Sequence, residues 1–150
     1  MSWLRTVARL LLGAFLVVAG IAHLVVPSEF LAQVPPVLPA REAIVLVSGL
    51  VEIALGGALL FAPARHRARV GIVVAALFVV VFPGNVSQYL TGTDAFGLDS
   101  DGARATRLLF QPVLVLWALW ACASRPALRR GAVVTSPGRP GSAGPPRHRR

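Results

Sequence analysis

The chain has 150 residues, of which 55% are hydrophobic and only 14% are charged, and its mean hydropathy is +0.70. This balance is rare in a small soluble domain and is typical of a membrane protein. The apolar content excludes disorder over most of the length, and a lone cysteine, Cys122, excludes a disulfide framework. The net charge is +9, and all 15 basic residues are arginines. The positions of these arginines must therefore decide whether the charge serves nucleic-acid binding or membrane orientation.

Four apolar runs of 16 to 21 residues divide the chain, at Leu10–Val26, Ala43–Ala62, Val70–Leu90 and Leu108–Ala123. As helices they would be roughly 24 to 32 Å long, which matches a hydrocarbon core of about 30 Å. The first run resembles a secretory signal, but it is too long and lacks a small-x-small cleavage site, so we interpret it as a mature helix. The sequence predicts an all-α fold, an integral membrane four-helix bundle over residues 1–124 with spans at about 7–26, 43–62, 70–90 and 107–124.

The segments between the runs differ in character. Residues 27–42 carry four prolines, which favour an extended or turning path, so Val34–Pro39 is predicted to form an ordered cap at the membrane surface. Residues 63–69 form a short basic turn, and residues 91–107 are rich in Gly and Asp. Residues 125–150 are rich in Arg, Pro and Gly and are predicted to be a disordered cytoplasmic tail.

The arginines separate by side when the chain is threaded through a membrane. The N-terminus, the 63–69 turn and the tail hold twelve arginines, whereas the opposite side holds only Arg41, Arg104 and Arg107. This positive-inside bias predicts that both termini are cytoplasmic. The tail lacks the aromatic or polar readers of a nucleic-acid site, so nucleic acid is not an expected partner. The tail is interpreted first as a solvated charged segment that anchors the topology, and the partner expected for it is anionic lipid at the inner face of the bilayer.

A few polar residues interrupt the apolar runs, and a polar side chain at membrane depth must face protein, water or a ligand. Most of them lie in the outer half of their runs, on the order of 5 to 14 Å from the outer end. We therefore predict one outward-facing polar pocket for a ligand. Its predicted residues are His23, Ser48, Glu52, Asn85, Gln88, Arg107 and Gln111.

Glu52 is the only acidic residue in any run, and Ser48, Glu52 and Gly56 share one face of the second helix. Two interpretations stay open. In the first, Glu52 takes part in proton transfer or ligand binding, and a cation such as Arg107 or protonated His23 holds it ionised. In the second, a protonated Glu52 makes a hydrogen bond to Asn85 or Gln111 and locks the bundle together.

Other features of the runs favour structural interpretations. No second His or Cys lies at ligand spacing from His23, so neither a metal site nor a haem is predicted, and no catalytic residue is assigned. Pro83 and Gly84 are expected to break the third helix in its outer half, next to the pocket. Glycines repeat every seven residues in the first two helices, at Gly13, Gly20, Gly49 and Gly56, and are interpreted as helix-packing notches.

Five short motifs in the expected order resemble the DoxX family of small four-helix bacterial membrane proteins, from about Leu10 to Trp120. They are Gly20-x-x-His23 with Pro27 and Phe30, Val34-Pro35-Pro36-x-Leu38-Pro39, Ser48-Gly49-x-x-Glu52, Phe82-Pro83-x-Asn85 and Arg107-x-x-x-Gln111. The resemblance implies a role beside membrane redox systems and nominates His23, Glu52, Asn85, Arg107 and Gln111 for a shared pocket. The cysteine pair of redox-active relatives is absent, which argues against thiol chemistry.

These observations support three hypotheses about function. The first is a non-catalytic accessory or scaffold subunit of a membrane redox system, whose pocket binds a quinone or a lipid. The second is a quinone-linked oxidoreductase component that uses Glu52 and His23 for proton transfer, and the third is a small-solute transporter. The resemblance and the arginine-only composition imply a multi-pass protein of a bacterial plasma membrane. A membrane redox protein and a second copy of the chain are the further partners left open.

Overall fold

The computed structural model describes residues 2–97 and 99–123. This part of the chain is helical and contains no strand, which confirms the predicted all-α class. Residues 125–150, for which a disordered tail is predicted, lie outside the described residues. The helices are α1 (Ser2–Val25), α2 (Pro27–Leu31), α3 (Arg41–Phe61), α4 (Arg67–Thr91) and α5 (Asp101–Cys122).

Four of these helices, all except the short α2, are long and apolar enough to cross a membrane. With 21 to 25 residues each, they would measure roughly 32 to 37 Å along their axes. Many large apolar side chains on their outer faces are exposed, among them Val18, Leu46, Val79 and Leu116. In a bilayer those faces would lie against lipid, so the coarse prediction of a multi-pass helical membrane protein agrees with the fold.

The helices pack as two antiparallel pairs. The α1–α3 contact is the most extensive, the α4–α5 contact is the next, and α1 also packs against α5. A contact of slightly smaller extent joins α3 to α4, whereas the diagonal pairs α1–α4 and α3–α5 make no contact. The two pairs therefore pack against each other less closely than the helices within each pair, and the site described below lies between them.

Glycines set the close approach of α1 and α3. A Cβ on Gly20 would lie 2.5 Å from the carbonyl oxygen of Gly49, and one on Gly56 would lie 2.7 Å from that of Gly13. Because these neighbours are backbone atoms, they cannot rotate away from a larger side chain. The seven-residue glycine spacing of the two helices thus forms two facing notches, as the packing interpretation predicts.

The apolar core lies toward the end of the bundle that holds the N-terminus. It is centred on Leu12, Leu16, Leu59 and Val74, and the indole N–H of Trp117 ties α5 to α1 by donating to the Ala8 carbonyl at 3.1 Å. A second, smaller cluster consists of Phe30, Val34 and Val45, at the opposite end of the bundle. The packing is therefore dense at one end, while the other end, which we call the α2 end, has a smaller core.

All four long helices begin before their predicted spans, α1 five residues earlier at Ser2. Helix α5 begins at Asp101, six residues before the predicted start, because the hydroxyl of Ser100 caps it by accepting from the backbone N–H of Ala103 at 3.3 Å. The proline-rich connector also contains α2, which begins at Pro27, the position where a proline ring suits the first turn of a helix.

The predicted break at Pro83 and Gly84 is wrong, because α4 runs without interruption from Arg67 to Thr91. A proline inside a helix removes one backbone hydrogen bond but does not have to end it where neighbouring elements support both sides. Gly84 has a packing role instead: a Cβ there would lie 3.1 Å from the carbonyl oxygen of Gln33 in the connector. The glycine therefore lets the connector approach α4.

Candidate site: a polar-walled cavity between the helix pairs

A cavity of about 1050 Å³ lies between the two helix pairs, toward the α2 end of the bundle. All four long helices and the connector after α2 contribute to its walls, and the lining is mostly apolar. Its volume is at the upper end of the range that small-molecule and cofactor sites occupy. The cavity is large enough for a ligand with a ring-sized head and part of a chain.

The imidazole of His23 and the carboxyl of Glu52 meet in the wall formed by α1 and α3. Their Nδ1 and Oε2 atoms are 3.4 Å apart, and both side chains are about nine-tenths buried. The His23 Nδ1 also lies 2.9 Å from the carbonyl oxygen of Ala19. Because a carbonyl only accepts, Nδ1 carries the proton, and the same N–H group faces the Glu52 carboxyl.

Gly49 explains why this contact is possible. A Cβ at Gly49 would lie 2.6 Å from the Cβ of His23, so only glycine lets the histidine enter the α1–α3 interface at this level. Ser48, one turn before Glu52, lines the same wall and donates its hydroxyl to the Val45 carbonyl at 2.9 Å. The close approach of α1 and α3 at Gly49 therefore also makes room for the polar wall.

The opposite wall carries a pair of buried amides. The Asn85 Nδ2 donates to the Gln111 Oε1 at 2.9 Å, and the Gln111 Nε2 donates to the Phe78 carbonyl at 2.5 Å. This pair links α4 to α5 through side chains at cavity depth. The structural alternative for Glu52, a hydrogen bond to Asn85 or Gln111, does not occur, because the two amides bond to each other and Glu52 faces His23.

A roof of aromatic and polar side chains covers the α2 end of the cavity. The ring of Phe30 stacks on His23 with centroids 3.5 Å apart, and Phe96 meets Phe30 edge-on at 4.8 Å. The guanidinium of Arg107 lies 5.3 Å from the Phe96 ring centroid and donates to the Gln33 Oε1 at 2.8 Å. Arg107 therefore pairs with the roof and not with Glu52.

The backbone at Phe96 is strained at the position where its ring joins this roof. Its φ of 55° is in the left-handed region, which is uncommon for a bulky residue, and its N–H donates to the Glu29 carboxyl at 2.6 Å. The loop is further fixed by Arg104, which forms ion pairs with Asp94 and Asp101 at 2.8 and 2.9 Å. The loop before α5 is thus anchored to α2 over the cavity.

Six of the seven residues predicted for the pocket line this cavity, and one lies apart from it. Gln88 does not contribute to the lining: it is 2% exposed, and its Nε2 donates to the Thr93 carbonyl at 3.2 Å, which closes the end of α4. The six lining residues are His23, Ser48, Glu52, Asn85, Arg107 and Gln111.

Sequence reasoning missed other parts of the site. Gln33 lies in a connector, where a polar residue gives no signal, and the role of Phe30 and Phe96 depends on contacts between distant segments. The sequence assigns Arg9 only to the inner face, yet it is 4% exposed and donates to the carbonyls of Leu59 and Leu60 at the end of α3. A buried arginine at the C-terminus of a helix satisfies carbonyls that would otherwise lack partners.

Fold and site together define the class: a small helical protein with four membrane-length helices and a mostly apolar cavity containing a few buried polar groups. The chain matches, over residues 12–122, the family described as "Domain of unknown function (DUF8561)". That match covers most of the chain, including every lining residue of the cavity, so the chain belongs to this family. No curated protein and no solved structure matches the chain.

Proposed function

We propose that the protein is an integral membrane bundle whose cavity binds a small amphipathic molecule, with a quinone or a lipid as the first candidates. The observation that carries the proposal is the cavity itself: about 1050 Å³, mostly apolar, with buried His23, Glu52, Asn85 and Gln111 in its walls. Buried polar groups in an apolar, membrane-spanning bundle cost free energy, so they are typical of a binding site.

The proposed setting follows the charge distribution and the motif resemblance. Both termini would lie in the cytoplasm of a bacterium, so the cavity would belong to the outer half of the bilayer. The order of motifs around His23, Glu52 and Arg107 supports a DoxX-like role, as a non-catalytic accessory or scaffold subunit beside a membrane redox protein. Anionic lipid at the inner face would bind the arginines there.

The test is purification in a mild detergent, followed by extraction and mass spectrometry of what remains bound. Ser48→Phe should fill part of the cavity, whereas Leu50→Phe, on the exposed face of α3, is a matched control. We expect one lipid-soluble compound at close to one equivalent in the wild type and in the Leu50 variant, with a loss of at least about tenfold in the Ser48 variant. Equal amounts in the two variants, or none in the wild type, would overturn the proposal.

A second candidate function, a quinone-linked redox component, is favoured by one observation, the 3.4 Å approach of His23 Nδ1 to Glu52 Oε2. In a proton relay of this kind, Glu52 would give a proton to a quinone oxygen while a partner supplies the electrons, and the His23 Nδ1–H would reprotonate Glu52 as its Nε2 takes up a proton from water. Glu52→Gln should then abolish quinone-dependent turnover of the reconstituted system while binding of the partner persists. Unchanged turnover would rule out this role.

A further inference from the structure

The cavity has an opening between α3 and α4. Val47 on α3 and Val80 on α4 both line it, yet they are 57% and 73% exposed, so they stand at its rim. We call the opening between these two helices the lateral gap. The gap forms because α3 contacts α4 much less extensively than it contacts α1. In a bilayer, this gap would face lipid.

The α2 end of the cavity, by contrast, is covered. Phe30, Gln33, Val34, Pro35 and Leu38 all line the cavity from above, and hydrogen bonds from Arg107 and to Glu29 hold the two roof segments in place. A ligand that entered from water would have to displace this roof. A ligand already dissolved in the bilayer could enter through the lateral gap without moving it.

The wall formed by α1 and α3 offers acceptors more than donors. Its two donor groups are already bonded to backbone oxygens: His23 Nδ1 to Ala19 and Ser48 Oγ to Val45. The Glu52 carboxyl makes no hydrogen bond to any described residue, and its Oε2 is buried without one. Ser48 lies one turn away on the same face, with its oxygen free to accept.

We infer that the cavity receives, from the bilayer through the lateral gap, a lipid-soluble molecule whose head donates a hydroxyl to the Glu52 carboxyl beside Ser48. The shared chemistry is a neutral head with an O–H donor on an apolar chain, as in an isoprenoid quinol, an alkylphenol or a long-chain alcohol. A buried acceptor without a partner disfavours a head that cannot donate, because the carboxyl would then stay unsatisfied. This inference rests on the proposed function of the cavity.

The head chemistry is tested by competition. Decylubiquinone bound in the cavity should quench Trp117, which lines it, in a Trp3→Phe, Trp120→Phe background. Two probes, 4-nonylphenol and 4-nonylanisole, share ring and chain and differ in one O–H group. We expect the phenol to displace the quinone at about tenfold lower concentration than the anisole. Equal potency would overturn the inference, whereas absence of quenching by both decylubiquinone and its reduced form, decylubiquinol, would overturn the proposed function instead.

Variants of the acceptor residues locate the effect. In Glu52→Leu, which removes the acceptor with an apolar side chain, the preference for the phenol should fall to about twofold or less. Ser48→Ala, a smaller change, should reduce it by about twofold to threefold. Retained binding of decylubiquinone shows that each variant is folded. A tenfold preference that survives in both variants would contradict the assignment of the hydroxyl to this wall.

The route is tested by binding rates in vesicles of phosphatidylethanolamine and phosphatidylglycerol. The double variant Val47→Phe, Val80→Phe narrows the lateral gap, and the matched control Leu46→Phe, Val79→Phe places the same rings on neighbouring exposed positions that do not line the cavity. Quenching of Trp117 by decylubiquinone should slow at least about fivefold in the gap variant and remain unchanged in the control. Equal rates in the two variants would overturn entry through the gap.

Discussion

The side-chain amides of Asn85 and Gln111 show how one buried residue depends on another. Loss of Asn85 leaves the Gln111 Oε1 without its donor in a mostly apolar wall, where Gln111 is 5% exposed. Asn85→Leu should therefore lower the free energy of unfolding by about 1–3 kcal/mol. Asn85→Leu combined with Gln111→Leu should cost less than the sum of the single changes, by about 0.5–2 kcal/mol.

A double-mutant cycle with unfolding in mixed micelles of rising SDS content measures this coupling. The Leu50→Phe change, far from the amide pair on the exposed face of α3, serves as the additive reference. Strictly additive costs for the Asn85 and Gln111 changes would show that the two amides do not support each other in the membrane.

Ala40 provides a prediction about the backbone. Its φ of 52° lies in the left-handed region just before α3, where an L-residue with a Cβ is strained. Ala40→Gly should raise the free energy of unfolding by about 0.5–1 kcal/mol. Ala54→Gly, at an exposed position inside α3, should lower it by about as much. The same SDS titration checks both, and a stabilising Ala54 change or a destabilising Ala40 change would contradict the argument.

The sequence predicted which residues form the site, but it did not predict which of their side chains contact each other. A polar side chain in an apolar run must face inward. This rule alone predicts that the site contains His23, Glu52, Asn85 and Gln111. The choice of partner depends on rotation and register between helices that are distant in sequence. For that reason Glu52 meets His23 and not the amides, and Arg107 meets Gln33.

At the scale of elements, the notches of α1 and α3 make the sharpest prediction. A methyl group on Gly20 would meet the Gly49 carbonyl and the Ile53 backbone nitrogen at 2.5 and 2.9 Å. Gly20→Ala should push the two helices apart and cost about 1–3 kcal/mol. Gly57→Ala is the matched control, because a methyl group there would point into open space, with no atom of a neighbouring helix within 4 Å.

Gly57→Ala should be neutral or stabilise the protein by up to about 1 kcal/mol, from helix propensity alone. Unfolding in SDS again provides the measurement. A Gly20 variant as stable as the Gly57 variant would mean that α1 and α3 do not approach as closely as the notches require.

Hydropathy located the long helices well because membrane length and apolar content are properties of one segment at a time. Hydropathy was less informative about where each helix begins and ends. The start of α5 at Asp101 is encoded in the cap residue Ser100, within a polar stretch that hydropathy assigns to a loop. The continuity of α4 through Pro83 depends on packing around the helix, which local proline rules do not describe.

At the scale of the whole molecule, the arginine distribution predicts the orientation. In a Cys122→Ala background, a cysteine at Thr93 should react with a membrane-impermeant maleimide on intact spheroplasts, since that loop joins α4 to α5 and is predicted to lie on the outer side. A cysteine at Ala64, between α3 and α4, should react only after lysis. The reverse pattern would place the cavity in the inner half of the bilayer.

Binding at the cavity is the central claim, and the fluorescence of individual tryptophans tests it most directly. Decylubiquinone is titrated into two forms of the protein, each with a single tryptophan. One keeps only Trp117, which lines the cavity. The other keeps only Trp120, which is half-exposed on the surface of α5 beside Arg5. Quenching of Trp117 should saturate near one equivalent, while quenching of Trp120 should rise in proportion to the quinone in the micelle. Proportional, unsaturated quenching of both tryptophans would contradict a binding site between the helix pairs.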